Sequence, residues 1–138
     1  MSLSAEERRD LLVRAAKTRR KLSPEQRAII FDQGTEAPFK NKYWDCHDEG
    51  TYTCASCGLP LFSSESKYDS ETGWPAFHSP IEASFLLYRE DTSHGMTRRE
   101  VVCGGCGGNL GHVFEDGPRP TGMRYCINSA SLNLEGRK

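Results

Sequence analysis

The sequence lacks a long apolar run, and this excludes a membrane-spanning helix, which needs about 20 apolar residues. The early cluster Leu11-Leu12-Val13 is also too short for the apolar core of a signal peptide. Seven of the first 21 residues are basic, but Glu6, Glu7 and Asp10 accompany them, unlike in a transit peptide. We therefore expect a cytoplasmic protein that does not associate with membranes.

The sequence also lacks an excess of charge of either sign. It has 18 Lys and Arg against 19 Asp and Glu, for a net charge of −1. Nucleic-acid binding normally needs a basic excess or a basic face, so we expect no nucleic-acid partner. The length of 138 residues, with 36% hydrophobic residues, fits one globular domain over 1–138 that acts as a monomer.

Two helices are predicted at the start of the chain. Ser4 can cap a first helix that extends to residue 20. Ser23 and Gln26 form an S-x-x-Q capping box for a second helix, and Gly34 is a natural stop. Residues 1–34 are therefore predicted to form a helical arm.

The pattern changes after residue 40, where short β-prone runs alternate with clusters of Gly, Pro, Ser and Asp. The predicted fold class is α+β, mainly antiparallel β, with a two-sheet β core over residues 35–134. The predicted strands are Thr51–Thr53, Ser84–Arg89, Arg98–Val102, His112–Phe114 and Arg124–Leu134.

The six cysteines divide into two C-x-x-C pairs and two single residues. Cys54/Cys57 and Cys103/Cys106 both read C-x-x-C-G-x-x-L, the form of a zinc knuckle, in which the glycine allows a tight turn. Two knuckles supply the four thiolates of a closed structural zinc site. Two disulfides and a redox-active C-x-x-C are the alternatives, and the repeated glycine disfavours both. We expect one structural Zn²⁺ per chain, which clamps the β core, and no organic cofactor.

Cys126 is the first single cysteine. In a strand it shares a face with Arg124 and Asn128, which places a cation, a thiol and an amide side by side. A neighbouring arginine lowers the pKa of a thiol, and asparagine can hold a polar substrate atom. A buried cysteine that packs as a small hydrophobe fits this strand equally well.

Two other segments carry residues of possible chemical use. Gly73–Phe77 places Trp74 and Phe77 around a constrained turn, which on its own is more typical of a core plug. Gly111–Pro118 contains His112 and Asp116, and a lone histidine is more often a hydrogen-bonded strut.

Together these motifs resemble the methionine-R-sulfoxide reductases, the B-type enzymes of methionine repair. The similarity extends from about Lys21 to Leu132, and the combined pattern is specific although no single piece is. Besides the two knuckles, the matching segments are Gly73–Phe77, Ser93–Met96, Leu110–Pro118, Pro120–Gly122 and Arg124–Leu132.

The resemblance implies that Cys126 is the nucleophile, which attacks the sulfoxide sulfur and becomes a sulfenic acid. It places His112 and Asn128 at the sulfoxide oxygen, with His112 as general acid. Its implied substrate is free or peptidyl methionine sulfoxide of the R epimer.

The remaining site residues implied by the resemblance surround the substrate. Trp74, with Phe77, forms an apolar wall for the terminal methyl group. Asp116 and Arg124 complete the polar rim.

The chain departs from the family pattern at two positions. Many members carry a resolving cysteine where this chain has Thr72, and many carry a histidine where it has Asn109, to which we assign no catalytic role. Cys46 is then the favoured resolving cysteine, which would form a disulfide with Cys126 for thioredoxin to reduce. Such a bond needs Cα atoms within about 7 Å, so the Cys46 loop would have to move. Direct reduction of Cys126 by thioredoxin or another thiol is the alternative.

A second class of function shares part of this pattern. A non-catalytic zinc-knuckle domain could bind a ligand through the same aromatic turn. It would have no need of Cys126 beside Arg124 and Asn128.

Overall fold

The computed structural model describes residues 3–32, 34–92 and 95–136. Within them two α-helices precede nine β-strands. The helices are α1 (Ala5–Lys17) and α2 (Pro24–Ile30). The strands are β1 (Gly50–Cys54), β2 (Pro60–Ser63), β3 (Lys67–Tyr68), β4 (Ala76–Phe77), β5 (Leu86–Asp91), β6 (Arg98–Cys103), β7 (Asn109–Phe114), β8 (Arg124–Ile127) and β9 (Leu132–Gly136).

Capping boxes begin both helices, as the sequence predicts for α2. In α1 the Ser4 side chain accepts from the Glu7 N–H, and the Glu7 carboxylate accepts from the Ser4 N–H. The helix ends at Lys17 rather than at residue 20. The chain becomes extended because the Arg20 N–H donates to the Ser56 carbonyl at 2.7 Å, a bond that a longer helix would break.

The strands form two antiparallel sheets, which confirms the α+β class and the two-sheet core. The small sheet has the order β2-β1-β9, and the large sheet has the order β3-β4-β8-β7-β6-β5. Aromatic side chains fill the space between them: Phe62 of β2 stacks on Phe77 of β4 with ring centroids 4.4 Å apart. Tyr52 of β1 meets Phe77 edge-on at 5.2 Å.

The prediction of one strand over Arg124–Leu134 is wrong. The segment forms β8 in the large sheet and the start of β9 in the small sheet, with a 3₁₀ turn at Ser129–Ser131 between them. The Glu36 carboxylate accepts from the backbone N–H groups of Ser129 and Ala130. These two N–H groups are therefore unavailable to a sheet, and the chain passes from one sheet to the other.

None of the helices in the described part of the chain has the length and apolarity that crossing a bilayer requires.

Candidate active site and metal centre

The four knuckle cysteines form one compact cluster at the junction of the two sheets. Cys54 is the last residue of β1, and Cys103 is the last residue of β6. All four sulfur atoms lie within 4.8 Å of one another. The Cys54–Cys106 and Cys57–Cys103 sulfur distances are 3.7 and 3.5 Å, and all six cysteines of the chain are free thiols. A tetrahedral site with metal–sulfur bonds of about 2.3 Å separates its sulfurs by about 3.8 Å, so these donors fit a metal ion and not a disulfide pair.

The two knuckles have the same backbone turn. The N–H of Gly58 donates to the Cys54 carbonyl at 2.8 Å, and that of Gly107 donates to the Cys103 carbonyl at 2.9 Å. Both glycines have a left-handed backbone, with φ of 82° and 77°. Only glycine adopts this conformation without steric cost, as the repeated motif predicts.

The N-terminal helices lie directly over this cluster. A Cβ atom at Gly105 would come within 2.6 Å of the Ala15 methyl of α1. One at Gly108 would come within 2.5 Å of the Ile30 side chain of α2. The helices thus cover the knuckle turns, and three of the four thiols are buried while Cys106 is half-buried.

Cys126 lies in the middle of the large sheet. It is opposite Ala76 of β4 on one side and opposite His112 of β7 on the other. Residues directly opposite in antiparallel strands share a face, and so does Arg124, two residues away on β8. The structure therefore brings Cys126, His112 and Arg124 together on one face, with the Cys126 side chain half-buried.

Burial raises the pKa of the Cys126 thiol, and this effect outweighs the others. Arg124 acts in the expected direction and lowers that pKa, as does the Thr72 hydroxyl, while Glu36 and Asp116 raise it. The net shift is upward, so the low pKa expected from Arg124 is not found in this state. The resting thiol is therefore protonated at neutral pH.

Thr72 lies beside Cys126 although it is not a cysteine. Its hydroxyl lies 2.7 Å from that of Ser70, which also accepts from the Thr72 N–H. The position before Gly73 thus carries a hydroxyl that lowers the pKa of the Cys126 thiol.

His112 is oriented by a carboxylate that the sequence analysis missed. Its Nε2 lies 2.8 Å from Oδ2 of Asp91 at the end of β5, and Arg98 binds the same oxygen at 3.2 Å. Because β5 and β8 lie on opposite sides of β7, this contact directs Nε2 away from Cys126. Nδ1 is then the ring nitrogen left for a substrate.

In the sequence, Asp91 stands just before Ser93–Met96, a segment that resembles the methionine-R-sulfoxide reductases. This position is the feature that could have identified it. Ser93 and His94 of that segment lie outside the described residues.

Arg124 is held by Asp116 in a two-point ion pair, with N–O distances of 2.8 and 3.1 Å. The hydrogen bonds from Arg124 lower the pKa of Asp116. The guanidinium also lies over the Phe114 ring, 4.3 Å from its centroid. These contacts fix a positive charge beside the thiol.

The two asparagines have different surroundings. Asn128 is buried, and both its backbone N–H and its side-chain Nδ2 donate to the Leu110 carbonyl, at 2.8 and 3.3 Å. Asn109 donates instead to the carbonyl of Ile29, at the end of α2. Asn109 therefore supports the packing of α2.

The two aromatic residues of the Gly73–Phe77 turn have different surroundings. Trp74 is half-buried beside a surface cleft, and its indole N–H donates to the Glu36 carbonyl at 3.1 Å. Phe77 is fully buried between the sheets, opposite Tyr125, and so on the other face from Cys126. The structure thus contradicts the expectation that Phe77 lines the substrate site, and we leave it out of the proposed pocket.

Cys46 is not placed against Cys126. It lies in the turn after Tyr43, half-buried, and lines a cleft with Tyr68 of β3. Tyr68 is two strands away from Cys126 in the sheet, about 10 Å at the usual strand spacing. Cys46 thus lines a cleft on the β3 side of the sheet, and we keep the expectation that its loop moves if the two thiols form a bond.

A half-buried thiol beside an oriented histidine and a fixed arginine, on a sheet joined to a separate four-thiol centre, is the arrangement of a thiol-dependent oxidoreductase.

Comparison with known proteins gives the family. A SelR domain matches residues 22–136. The chain is 57% identical over 119 residues to the peptide methionine sulfoxide reductase MsrB of Thiobacillus denitrificans, covering 86% of this chain and 90% of that protein. It is 54% identical to MsrB of Acinetobacter baumannii and 55% identical to that of Acinetobacter baylyi, each over 116 residues and 84% of both chains. The chain belongs to the SelR-domain family, the methionine-R-sulfoxide reductases.

Proposed function

We propose that the protein reduces the R epimer of free or peptide-bound methionine sulfoxide, with Cys126 as its nucleophile. The activity is inferred from membership of the methionine-R-sulfoxide reductase family. The observation that supports the assignment of Cys126 is its position opposite His112 on the polar face of the large sheet.

In the proposed reaction the Cys126 sulfur attacks the sulfoxide sulfur, and the oxygen takes up a proton. Methionine departs with its sulfur reduced by two electrons, and Cys126 keeps the oxygen as a sulfenic acid. The step consumes a thiol and a sulfoxide and leaves a sulfenic acid and a thioether, so its atoms and electrons balance.

The raised pKa of Cys126 suits this chemistry. A protonated resting thiol holds the proton that the sulfoxide oxygen must receive. As that proton leaves, Arg124 and the Thr72 hydroxyl stabilise the thiolate. With its Nε2–H donated to Asp91, His112 has Nδ1 free to take the thiol proton and pass it to the sulfoxide oxygen, the role of the general acid.

The substrate is held between a polar side and an apolar side. Asn128, fixed by the Leu110 carbonyl, and His112 face the oxygen, while Asp116 keeps Arg124 in place. Trp74 supplies the wall for the methyl group, with its indole N–H held by Glu36. Opposite placement of oxygen and methyl selects one epimer.

For the return step we propose that Cys46 attacks the Cys126 sulfenic acid, releases water and forms a disulfide, which thioredoxin reduces. The Cys46 turn on the rim of its own cleft is the element that must move. Peptide mapping after one turnover tests this: a 46–126 link supports it, and its absence favours direct reduction of Cys126.

We propose Zn²⁺ as the ion of the four-cysteine centre. Four thiolates in tetrahedral array are the donor set that zinc prefers in structural sites. The site has no open position for substrate. Cys103 is three residues beyond Glu100, the β6 neighbour of His112, about 10 Å along the strand. The ion would hold the sheets together and take no part in the reaction.

We further propose that the protein is a cytoplasmic monomer. Its six free thiols fit a reducing compartment. Size-exclusion chromatography with light scattering tests the monomer, and fractionation of cells that express the tagged chain tests the compartment.

One assay tests the activity and the role of Cys126. The wild-type protein is incubated with each methionine sulfoxide epimer and dithiothreitol, beside Cys126→Ser. We expect turnover of the R epimer alone, and none in the variant. No turnover by zinc-loaded wild type would favour the alternative, a ligand-binding domain.

A further inference from the structure

A surface cleft of about 380 Å³ adjoins Trp74 and has no role in the reaction described above. Its walls combine exposed aromatic rings with carboxylates, on segments from three parts of the chain. The lining residues that matter here are Phe39, Trp44, Asp45, Asp69, Glu71 and Trp74.

The aromatic wall is exposed to solvent at Phe39, while Trp44 and Trp74 are half-buried. Phe39 is 52% exposed, and its ring meets Trp44 edge-on with centroids 5.1 Å apart. A large apolar side chain left in water beside a second aromatic ring is typical of a binding surface. These rings therefore offer a site for an apolar side chain.

This wall is tied to the proposed substrate site. The Phe39 N–H donates to the Gly73 carbonyl at 2.8 Å, and the Asn41 side chain donates to the same oxygen at 2.8 Å. Trp74 follows Gly73 directly and lines the cleft. Trp74 therefore belongs both to the cleft and to the wall proposed for the methyl group of the substrate.

The backbone of the cleft is strained at two points. Phe39 and Glu71 have φ of 62° and 63°, and they are the non-glycine residues with positive φ in the described ranges. Both line this cleft. Unfavourable backbone conformations of this kind cluster at functional sites.

The rim of the cleft is acidic. Asp45 and Glu71 are exposed, and Asp69 is also exposed and pairs with His47 at 3.0 Å. Lys67 approaches from behind and donates to the Trp44 carbonyl at 3.4 Å. The lining of the cleft carries three carboxylates and one imidazole, so it favours a positively charged partner.

We propose that this cleft binds the peptide segment next to the oxidised methionine, with an apolar side chain against Phe39 and Trp44 and a Lys or Arg on the acidic rim. The inference rests on the proposed function and deepens it, because it makes protein-bound sulfoxide with apolar and basic neighbours the preferred substrate. An extended peptide advances about 3.3 Å per residue, so residues near the sulfoxide reach the cleft past Trp74.

The test compares kcat/KM for a peptide with Leu and Lys beside methionine-R-sulfoxide with that for N-acetyl-methionine-R-sulfoxide. Phe39→Ala should lower the ratio of kcat/KM for the peptide to kcat/KM for N-acetyl-methionine-R-sulfoxide about tenfold, through a higher KM for the peptide. Phe31→Ala is the matched control, since Phe31 is 49% exposed and does not line the cleft. It should leave the ratio at the wild-type value.

The charge of the rim is tested with Glu71→Gln and Asp45→Asn, which should weaken the preference for a Lys-flanked over a Glu-flanked peptide. Binding of the same peptides to Cys126→Ser, followed by tryptophan fluorescence, gives a readout without turnover. An unchanged ratio in Phe39→Ala, or an equal fall in Phe31→Ala, would overturn the inference. Absence of turnover with both substrates would instead overturn the proposed function.

Discussion

The four cysteines of the metal centre and Cys126 have the same side chain, but the protein surrounds them differently. The knuckle cysteines have other thiols and two identical backbone turns as their neighbours. Cys126 has an arginine, a hydroxyl and an oriented histidine around it, each from a different segment. The metal-site thiols are thus surrounded by repeated local backbone, and the proposed nucleophile by dissimilar side chains from distant parts of the chain.

The largest expected effect is on activity. Cys126→Ser should reduce turnover by at least about a thousandfold, because no other thiol faces the proposed substrate site. Its thermal unfolding should remain that of wild type, since the metal centre is intact. A variant that keeps appreciable dithiothreitol-dependent activity would contradict the assignment.

The second largest effect is on stability. Removing the metal with a chelator, or replacing Cys106 by Ala, should cost on the order of 10 kcal/mol of folding free energy and unfold the core. Circular dichroism should show cooperative loss of β structure, which Zn²⁺ restores after chelation. A folded metal-free protein would show that the sheets hold together without the centre.

A smaller effect is expected at Asp91. Asp91→Asn should lower kcat/KM about tenfold through a lower kcat, because the amide no longer orients the His112 ring as the carboxylate does. Asp91→Glu should recover part of the activity. A kcat at the wild-type value in Asp91→Asn would contradict this role of Asp91.

The smallest effect is expected at Thr72. Its hydroxyl lowers the pKa of Cys126 against the larger effect of burial, so Thr72→Val should raise that pKa further. Alkylation of Cys126 by iodoacetamide should then slow about threefold at neutral pH, with its profile moved to higher pH. Thr72→Ser keeps the hydroxyl and should behave as wild type, and equal rates in all three proteins would refute the contact.

The sequence predicted what local patterns determine. The Ser23–Gln26 capping box, the glycine of each knuckle and the alternation that sets Arg124 and Cys126 on one face are all present. The family resemblance supplied His112 and Trp74. These features depend on residues close together in the chain.

The rest depended on contacts between distant residues. Asp91 is 21 residues from His112, and Glu36 is 93 residues from the Ser129 N–H that it binds. Neither partner is visible in a local pattern. Phe77 was expected in the wall for the methyl group. Only the pairing of β4 with β8 shows that it lies on the face of the sheet away from Cys126.

The raised pKa of Cys126 has a consequence for the proposed enzyme. Peroxides react with thiolates far faster than with thiols. A thiol whose pKa burial has raised is therefore spared by the oxidants that create its substrate. In the proposed reaction the sulfoxide takes the proton of this thiol, so its burial would protect Cys126 from peroxide between turnovers.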